Sequence, residues 1–234
     1  MACGQESQGS AVPGRKLGLR STEGGVGMAV VSLSCSCGAV RGQATQVSAA
    51  SGLRVICMCA DCQAYARYLG RADEILDRNG GTDVFQVTPS QLDIRQGAEK
   101  IVCVKLSPKG ILRWYTDCCR TPVGNTPASP QVPFVGVPHL FFDHEQDGLT
   151  RDAALGPVSA RIYARSGHGD VPAGAHQAAP LGLIIRALGR LLTQRVKGMH
   201  TPSPFCDKST GRPIRDPIVL STAERKALSP SPRS

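Results

Sequence analysis

The sequence predicts a mainly β fold, and three observations support this expectation. Many short segments are β-branched or alternate between apolar and polar residues, as strands do. Turn-forming clusters of Gly, Pro, Asn and Ser separate these segments. The 234 residues include 26 Gly and 17 Pro but only 5 Phe, 4 Tyr and 1 Trp, which indicates irregular backbone and excludes a long coiled coil. We therefore expect one β-rich core with appendages.

The domain organisation is predicted from these segments in chain order. Residues 1–28 are rich in Gly, Ser and Gln without a hydrophobic period, so we expect a disordered leader. A β domain is expected over 29–165, followed by a linker and an amphipathic helix over 166–200 that pack on it. Residues 201–234 are rich in Pro and basic at their end, which predicts a mostly extended tail. The strands are expected at 29–33, 39–42, 53–57, 83–87, 100–106, 111–115 and 158–164.

Two helices are predicted. A short one is expected in the core over 61–69, where Gly70 ends it. In the second, over 181–197, apolar residues recur at helical spacing on one side, arginines and a lysine lie opposite, and no residue is acidic. We expect its apolar side to dock on the β core. The alternative is a contact of this helix with a membrane surface or with nucleic acid.

Charge and cysteine content narrow the partners and the compartment. The net charge of +9 leaves nucleic acid, anionic lipid and small anionic substrates open as partners. No segment reaches the roughly 18 apolar residues of a membrane span, and no signal peptide is recognisable, so we expect a cytoplasmic protein. The oligomeric state is left open. In a reducing compartment, ten cysteines indicate metal or thiolate chemistry rather than disulfides.

Seven of the ten cysteines form three clusters along the sequence. They are Cys35 and Cys37, then Cys57, Cys59 and Cys62, then the vicinal pair Cys118 and Cys119. Zinc takes about four thiolates in a closed site and three protein ligands in an open one. Seven sulfurs therefore predict one structural zinc with four ligands and a second zinc with three and an open position, although purely structural zinc is the alternative. Cys3, Cys103 and Cys206 are not assigned to metal, and Cys103 is expected to be a small buried apolar residue.

Three cysteine motifs between 34 and 125 carry a family resemblance. They read Cys35-Ser36-Cys37-Gly38-Ala39-Val40, Cys57-Met58-Cys59-Ala60-Asp61-Cys62 and Arg113-Trp114-Tyr115-Thr116-Asp117-Cys118-Cys119-Arg120-Thr121-Pro122. This pattern resembles the glutathione-dependent formaldehyde-activating enzyme and centromere protein V family. The resemblance implies a zinc-stapled, complex β fold of the Mss4-like type. It further implies a structural zinc on Cys35, Cys37 and Cys119 and a catalytic zinc on the middle triplet.

The sequence departs from the family pattern at one ligand. Thr116 stands where the last motif of the family has its first cysteine, and Arg120 stands where the family has glycine. Cys118 is a candidate replacement, but vicinal cysteines reach one ion only with a strained backbone. Water, or no fourth ligand at all, is the alternative for the structural site.

The resemblance also implies an activity. It predicts a carbon–sulfur lyase-type enzyme acting on adducts of glutathione or a small thiol with an aldehyde, as in S-hydroxymethylglutathione synthesis, with Cys57, Cys59 and Cys62 as the catalytic residues. Four cations are candidates for the carboxylates of glutathione: Arg67, Lys109, Arg113 and Arg120. His139 and His144 are candidate proton carriers. The alternative function is a non-catalytic zinc-stapled module that contacts nucleic acid or the cytoskeleton through the basic tail and the second helix.

Overall fold

The computed structural model of the protein describes residues 29–229, and its mainly β fold confirms the class expected from the sequence. Eleven strands are present in this part of the chain: β1 (Ala29–Ser34), β2 (Arg41–Val47), β3 (Arg54–Cys57), β4 (Thr82–Val87), β5 (Leu92–Gln96), β6 (Ile101–Lys105), β7 (Leu112–Thr116), β8 (Pro122–Thr126), β9 (Val135–Pro138), β10 (Ala160–Ile162) and β11 (Ile218–Val219). Five α-helices accompany them: α1 (Ala60–Tyr68), α2 (Ala72–Ile75), α3 (Arg151–Leu155), α4 (Leu181–Val196) and α5 (Thr222–Leu228). The predicted leader and Cys3 lie outside the described residues.

The strands form two sheets that enclose the main core. The smaller sheet has the order β1-β2-β5, and the larger has the order β10-β3-β4-β9-β8-β7-β6-β11. Neighbours pair antiparallel except at the two edges of the large sheet, where β10 runs parallel to β3 and β11 runs parallel to β6. Buried apolar residues of both sheets form one cluster, so the small sheet packs on one face of the large one.

The alternation of side chains along β7 determines what lies on each face of the large sheet. Leu112 and Trp114 enter the main core between the sheets. Arg113 and Tyr115 therefore point to the opposite face, where Tyr115 packs against α1. This second face, between the large sheet and α1, carries one of the two cysteine groups.

Three strands of the core were not expected from the sequence. β8 contains Pro122, Gly124 and Asn125, which are poor strand formers, yet all five of its residues are buried. Its pairing with β7 over four residue pairs outweighs the local preference. The other two unexpected core strands are β5 and β9, each only four or five residues long.

The segment after residue 200 differs from the extended tail that we expected. The Phe205 ring is fully buried and stacks on Trp114 with 5.0 Å between ring centroids. Leu220 is buried among the apolar residues that pack against α1. It lies between β11 and α5, so this part of the chain contains a strand and a helix. Isolated apolar residues among prolines have no period, so the sequence pattern does not reveal that they join the core.

Helix α4 has the expected bounds to within one residue, but the expectation that its apolar side docks on the core is wrong. The residues of that side are largely exposed: Leu181 by 71%, Ile185 by 61%, Leu188 by 59%, Leu192 by 69% and Val196 by 82%. The opposite side faces the protein, where Arg190 Nη1 donates a hydrogen bond of 2.8 Å to the Ala50 carbonyl. A helical period shows which residues share a side of a helix. In α4, hydrogen bonds of the polar side determine which side faces the protein.

None of the helices within 29–229 combines the length and the apolar character that crossing a membrane requires.

Candidate metal centres

The first cysteine group lies where β3 leads into α1. Cys57 is the last residue of β3, and Cys59 is the N-cap of α1, with extended backbone at φ −64° and ψ 151°. Its sulfur accepts a hydrogen bond from the Cys62 N–H at 3.4 Å, which places Cys62 in the first helical turn. The Sγ atoms of Cys57 and Cys62 are 3.7 Å apart, and all three Sγ atoms lie within 4.8 Å of one another. The cap geometry thus brings the predicted triplet together.

A buried arginine lies beside this triplet. Arg113 is only 3% exposed, and its guanidinium stands over the Tyr65 ring, 5.1 Å from the centroid. Its Nη1 donates to Asn125 Oδ1 at 3.3 Å, and within residues 29–229 no carboxylate forms a salt bridge with it. Hydrogen bonds from Cys57 and Cys59, together with the charge of Arg113, hold the pKa of the Cys62 thiol well below its ordinary value. The cation therefore favours the thiolate of Cys62.

Unpartnered polar atoms lie on the same face of the large sheet. Thr82 is the cross-strand neighbour of Cys57, and Gln86 lies four residues further along β4, so both share the face of Cys57. Thr82 Oγ1 and Gln86 Nε2 are buried and find no hydrogen-bond partner among the described residues. Buried polar atoms are normally satisfied, so each of these two atoms could still bond to a further group.

The second cysteine group joins two tight turns. Cys35 and Cys37 lie in the turn between β1 and β2, where Gly38 adopts φ +73°. Cys118 and Cys119 lie in the turn between β7 and β8. The Cys35 sulfur is 3.6 Å from that of Cys37 and 4.0 Å from that of Cys118, and all four Sγ atoms lie within 4.8 Å of one another.

The vicinal pair reaches this group together, and the backbone strain lies at the next residue. Arg120 has φ +55°, in the left-handed region that side chains other than glycine rarely adopt. Both vicinal cysteines thus belong to this group, and the residue with a strained backbone is their neighbour Arg120.

Thr116 contacts the four-cysteine group through its hydroxyl. Its Oγ1 contacts the Cys119 sulfur at 3.3 Å, and Thr121 Oγ1 contacts the same sulfur at 3.2 Å. Burial opposes ionisation of this thiol, but the hydrogen bonds from Thr116 and Thr121 outweigh it and lower the pKa of Cys119 to about 5. Burial raises the pKa of the Cys35 thiol, and the Val40 N–H, which donates to its sulfur at 3.2 Å, opposes this only in part.

Of the cations suggested by the sequence, Arg113 alone is placed at the triplet by its contacts. Arg120 lies beside the four-cysteine group, where its Nη1 donates to the Tyr68 carbonyl at 2.9 Å. Arg67 donates to the Leu228 carbonyl at 3.2 Å, and Lys109 lies in an exposed turn.

The two candidate proton carriers have other surroundings. His139 lines a cavity with Arg54, Asp83 and Arg151, and burial and the charge of Arg151 lower its pKa to about 4, so it is neutral at pH 7. His144 bonds through Nδ1 to the Leu149 carbonyl at 2.9 Å.

Several contributing residues were missed by sequence reasoning. Arg71, which follows the α1 helix, donates to the Cys119 carbonyl at 3.2 Å and to Thr121 Oγ1 at 2.8 Å, and so ties the four-cysteine turn to α1. Thr82 and Gln86 were missed as well. The strand period of β4 could have placed both on one face, but nothing local in the sequence identifies that face as the one bearing cysteines. Cys103, as expected, is a buried residue of the main core.

The two groups differ in what they can do chemically. Four thiols around one point can close a metal site, whereas three thiols leave one position of a tetrahedral ion for another ligand. The structure therefore provides two cysteine groups that could hold metal ions, one of four thiols and one of three.

Comparisons with known proteins place the chain in a family. No curated protein matches it. The profile described as "Family of unknown function (DUF6151)" matches residues 28–216, which include both cysteine groups, the whole of α4 and Phe205. Since this match covers well over half of the 234 residues, the chain belongs to the DUF6151 family.

Proposed function

We propose that the protein is a zinc-dependent enzyme of the carbon–sulfur lyase type, built on an Mss4-like fold, that acts on adducts of glutathione or another small thiol with an aldehyde. The observation that carries this proposal is the pairing of a three-thiol group with a buried arginine. A purely structural site would be served equally well by four thiols and no cation.

The cysteine geometry fits zinc. A tetrahedral zinc with bonds of about 2.3 Å to sulfur separates its sulfurs by roughly 3.8 Å. Sulfur distances in the four-cysteine group include 3.4 Å between Cys37 and Cys118 and 4.0 Å between Cys35 and Cys118, and all of them lie within 4.8 Å. The 3.7 Å between Cys57 and Cys62 lies in the same range. All-thiolate donors also suit a soft ion such as zinc better than magnesium or calcium.

The residues around the triplet have separable roles. Cys57, Cys59 and Cys62 would hold the zinc, which when bound lowers the pKa of a thiol that joins it. Three thiolates and a divalent ion carry a net charge of about −1, and the Arg113 guanidinium balances it inside the protein. Asn125 accepts from Arg113 and donates to the Gly136 carbonyl at 3.4 Å, so it holds the guanidinium in place.

The proposed reaction needs no oxidant or reductant. The sulfur of the small thiol forms a bond to the aldehyde carbon, and the thiol proton ends on the former carbonyl oxygen. Thr82 Oγ1 and Gln86 Nε2 are unpartnered hydrogen-bonding groups on the face of Cys57 and can orient the thiol or the aldehyde. The reverse reaction releases the aldehyde.

Metal counting after anaerobic purification tests the sites. We expect two zinc ions per chain in the native protein and one in Cys59→Ala. Cys206→Ala is the matched control, because Cys206 belongs to neither cysteine group, and it should retain two. An unchanged zinc content in Cys59→Ala would contradict the three-thiol site.

A spectroscopic titration tests the activity. Glutathione added to the cobalt-substituted protein should increase the sulfur-to-cobalt absorption as a further sulfur joins the three-thiol site, and Cys59→Ala should not show this increase. The native zinc protein should also accelerate thiol addition to formaldehyde. If the native protein gives neither response, the three-thiol site is structural.

A second candidate is a non-catalytic zinc-stapled interaction module. The specific observation in its favour is that the apolar side of α4 faces solvent. Such a module would bind two zinc ions but would not respond to glutathione, and binding to nucleic acid would fall steeply with salt.

A further inference from the structure

A cavity of about 670 Å³ lies beneath α4, on the side opposite its exposed apolar residues. The residues that line it on the sheet side include Gln46, Ser51 and Gln91. On the helix side, Arg186, Arg190 and Lys197 line it. These three cations have no carboxylate beside them in the lining, so the cavity is strongly basic.

The charge in this cavity is not compensated. Among the salt bridges formed within residues 29–229, none includes Arg186, Arg190 or Lys197. Burial, and next the charge of Arg186, lower the pKa of Arg190, in keeping with two guanidinium groups that stand one helical turn apart on the same side of the cavity. An anion between them would reduce the repulsion of their charges.

Two buried polar atoms in the lining also have no partner. Arg190 uses Nη1 to donate to the Ala50 carbonyl, but its Nε is buried and forms no hydrogen bond to a described residue. The same holds for Gln194 Oε1, which lies one turn further along α4. An unsatisfied buried donor costs free energy, so Arg190 Nε marks a place that a hydrogen-bond acceptor would stabilise.

The backbone at the cavity is strained as well. Gln46 adopts φ +56°, although it is not a glycine, near the end of β2. The Gln91 side chain holds this conformation by donating to the Gln46 carbonyl at 3.2 Å. Residues kept in sparsely populated conformations cluster at ligand sites, because the strain is tolerated where it shapes a surface.

We propose that this cavity binds the phosphate group of a soluble small molecule. The planar guanidinium forks of Arg186 and Arg190, four residues apart on one side of the helix, match phosphate oxygens in pairs. The cavity is much larger than one phosphate, and the unpartnered Gln194 Oε1 in its lining suits a polar remainder that carries hydroxyl donors, such as a sugar. Lys197, about 10 Å further along the helix from Arg190, meets the far end of the ligand.

The position of the cavity favours a soluble ligand over a lipid. The apolar side of α4 would be the side that enters a bilayer surface, and the cations lie on the other side of the helix. A lipid phosphate in that bilayer would therefore be separated from the cavity by the helix itself.

Calorimetric titration of the full chain with inorganic phosphate and with glucose 6-phosphate tests the proposal. The ionic strength is kept constant, and titration with chloride is the reference. We expect both to bind and the sugar phosphate to bind more tightly. Arg190→Gln should raise the Kd of either ligand at least tenfold. Arg186 is exposed, so Arg186→Gln provides the same test should Arg190→Gln fail to fold.

Arg195→Gln is the matched control, because it removes the same charge from the same helix outside the cavity, where Arg195 bonds to Gln131. It should leave the Kd unchanged. Absence of binding by the native protein, or equal weakening in all three variants, would overturn the proposal. Binding to phosphatidic acid vesicles without a response to either soluble phosphate would overturn it too.

Discussion

Arg113 shows how a single residue connects the fold to the candidate site. Its place in β7, between Leu112 and Trp114 of the main core, turns it to the face that carries Cys57 and Asn125. A buried charge without a partner costs several kcal/mol, so the neighbouring thiols are the group that offsets it. The same pairing stabilises the charge of the arginine and lowers the pKa of the Cys62 thiol.

Arg120 allows a test of backbone strain beside the four-cysteine group. A left-handed conformation costs a non-glycine residue about 1 to 2 kcal/mol, and Arg120 recovers part of this through its bond to Tyr68 and its position 5.6 Å from that ring. We expect Arg120→Gly to change the free energy of unfolding by less than about 1 kcal/mol, because relief of strain offsets the lost contacts.

Arg120→Val is the control for this test, because valine loses the same contacts and tolerates the left-handed region poorly. It should lower the free energy of unfolding by about 1 to 2 kcal/mol more than Arg120→Gly, as measured by denaturant titration with zinc present. Equal losses in the two variants would show that the backbone at this turn relaxes.

At the scale of an element, α4 shows what a periodic pattern of apolar residues determines and what it leaves undetermined. The spacing of its apolar residues predicted a helix over 181–197, and the helix spans Leu181–Val196. The pattern could not show which side faces the protein. That depends on the Ala50 carbonyl and Gln131, which lie far away in sequence.

The orientation of α4 predicts unequal responses to truncation of leucine side chains. Leu188→Ala should change the free energy of unfolding by less than about 0.5 kcal/mol, because Leu188 is largely exposed. Leu155→Ala in α3 should cost about 2 to 5 kcal/mol, because Leu155 is 1% exposed in the main core. Thermal or denaturant unfolding measures both, and similar losses would mean that α4 packs its apolar side after all.

At the scale of the whole molecule, the chain after residue 200 completes the large sheet and its core. Phe205 lies against Trp114 in the main core, and β11 adds an edge strand beside β6. We expect Phe205→Ala to lower the free energy of unfolding by about 3 to 5 kcal/mol, since it removes a fully buried aromatic ring.

Ile218→Ala in β11 is the comparison for this variant, because Ile218 is 55% exposed, and it should cost about 1 kcal/mol or less. A loss below about 1 kcal/mol for Phe205→Ala would show that the segment is not part of the cooperative core. Both values come from the same denaturant unfolding experiment.

The sequence by itself determined the β class, most strands before residue 116, both long helices and the three clusters that contain seven of the cysteines. These features depend on local information: alternation, helical spacing, turn residues and the short spacing of cysteines that share a turn.

Only the tertiary structure decided the rest. It formed β8 from poor strand formers, brought Phe205 into the core, turned the apolar side of α4 outward and placed Arg113 beside the triplet. Each of these depends on contacts between residues distant in sequence, whose packing and hydrogen bonding outweigh local preference. No pattern within one segment records which distant segment will cover it.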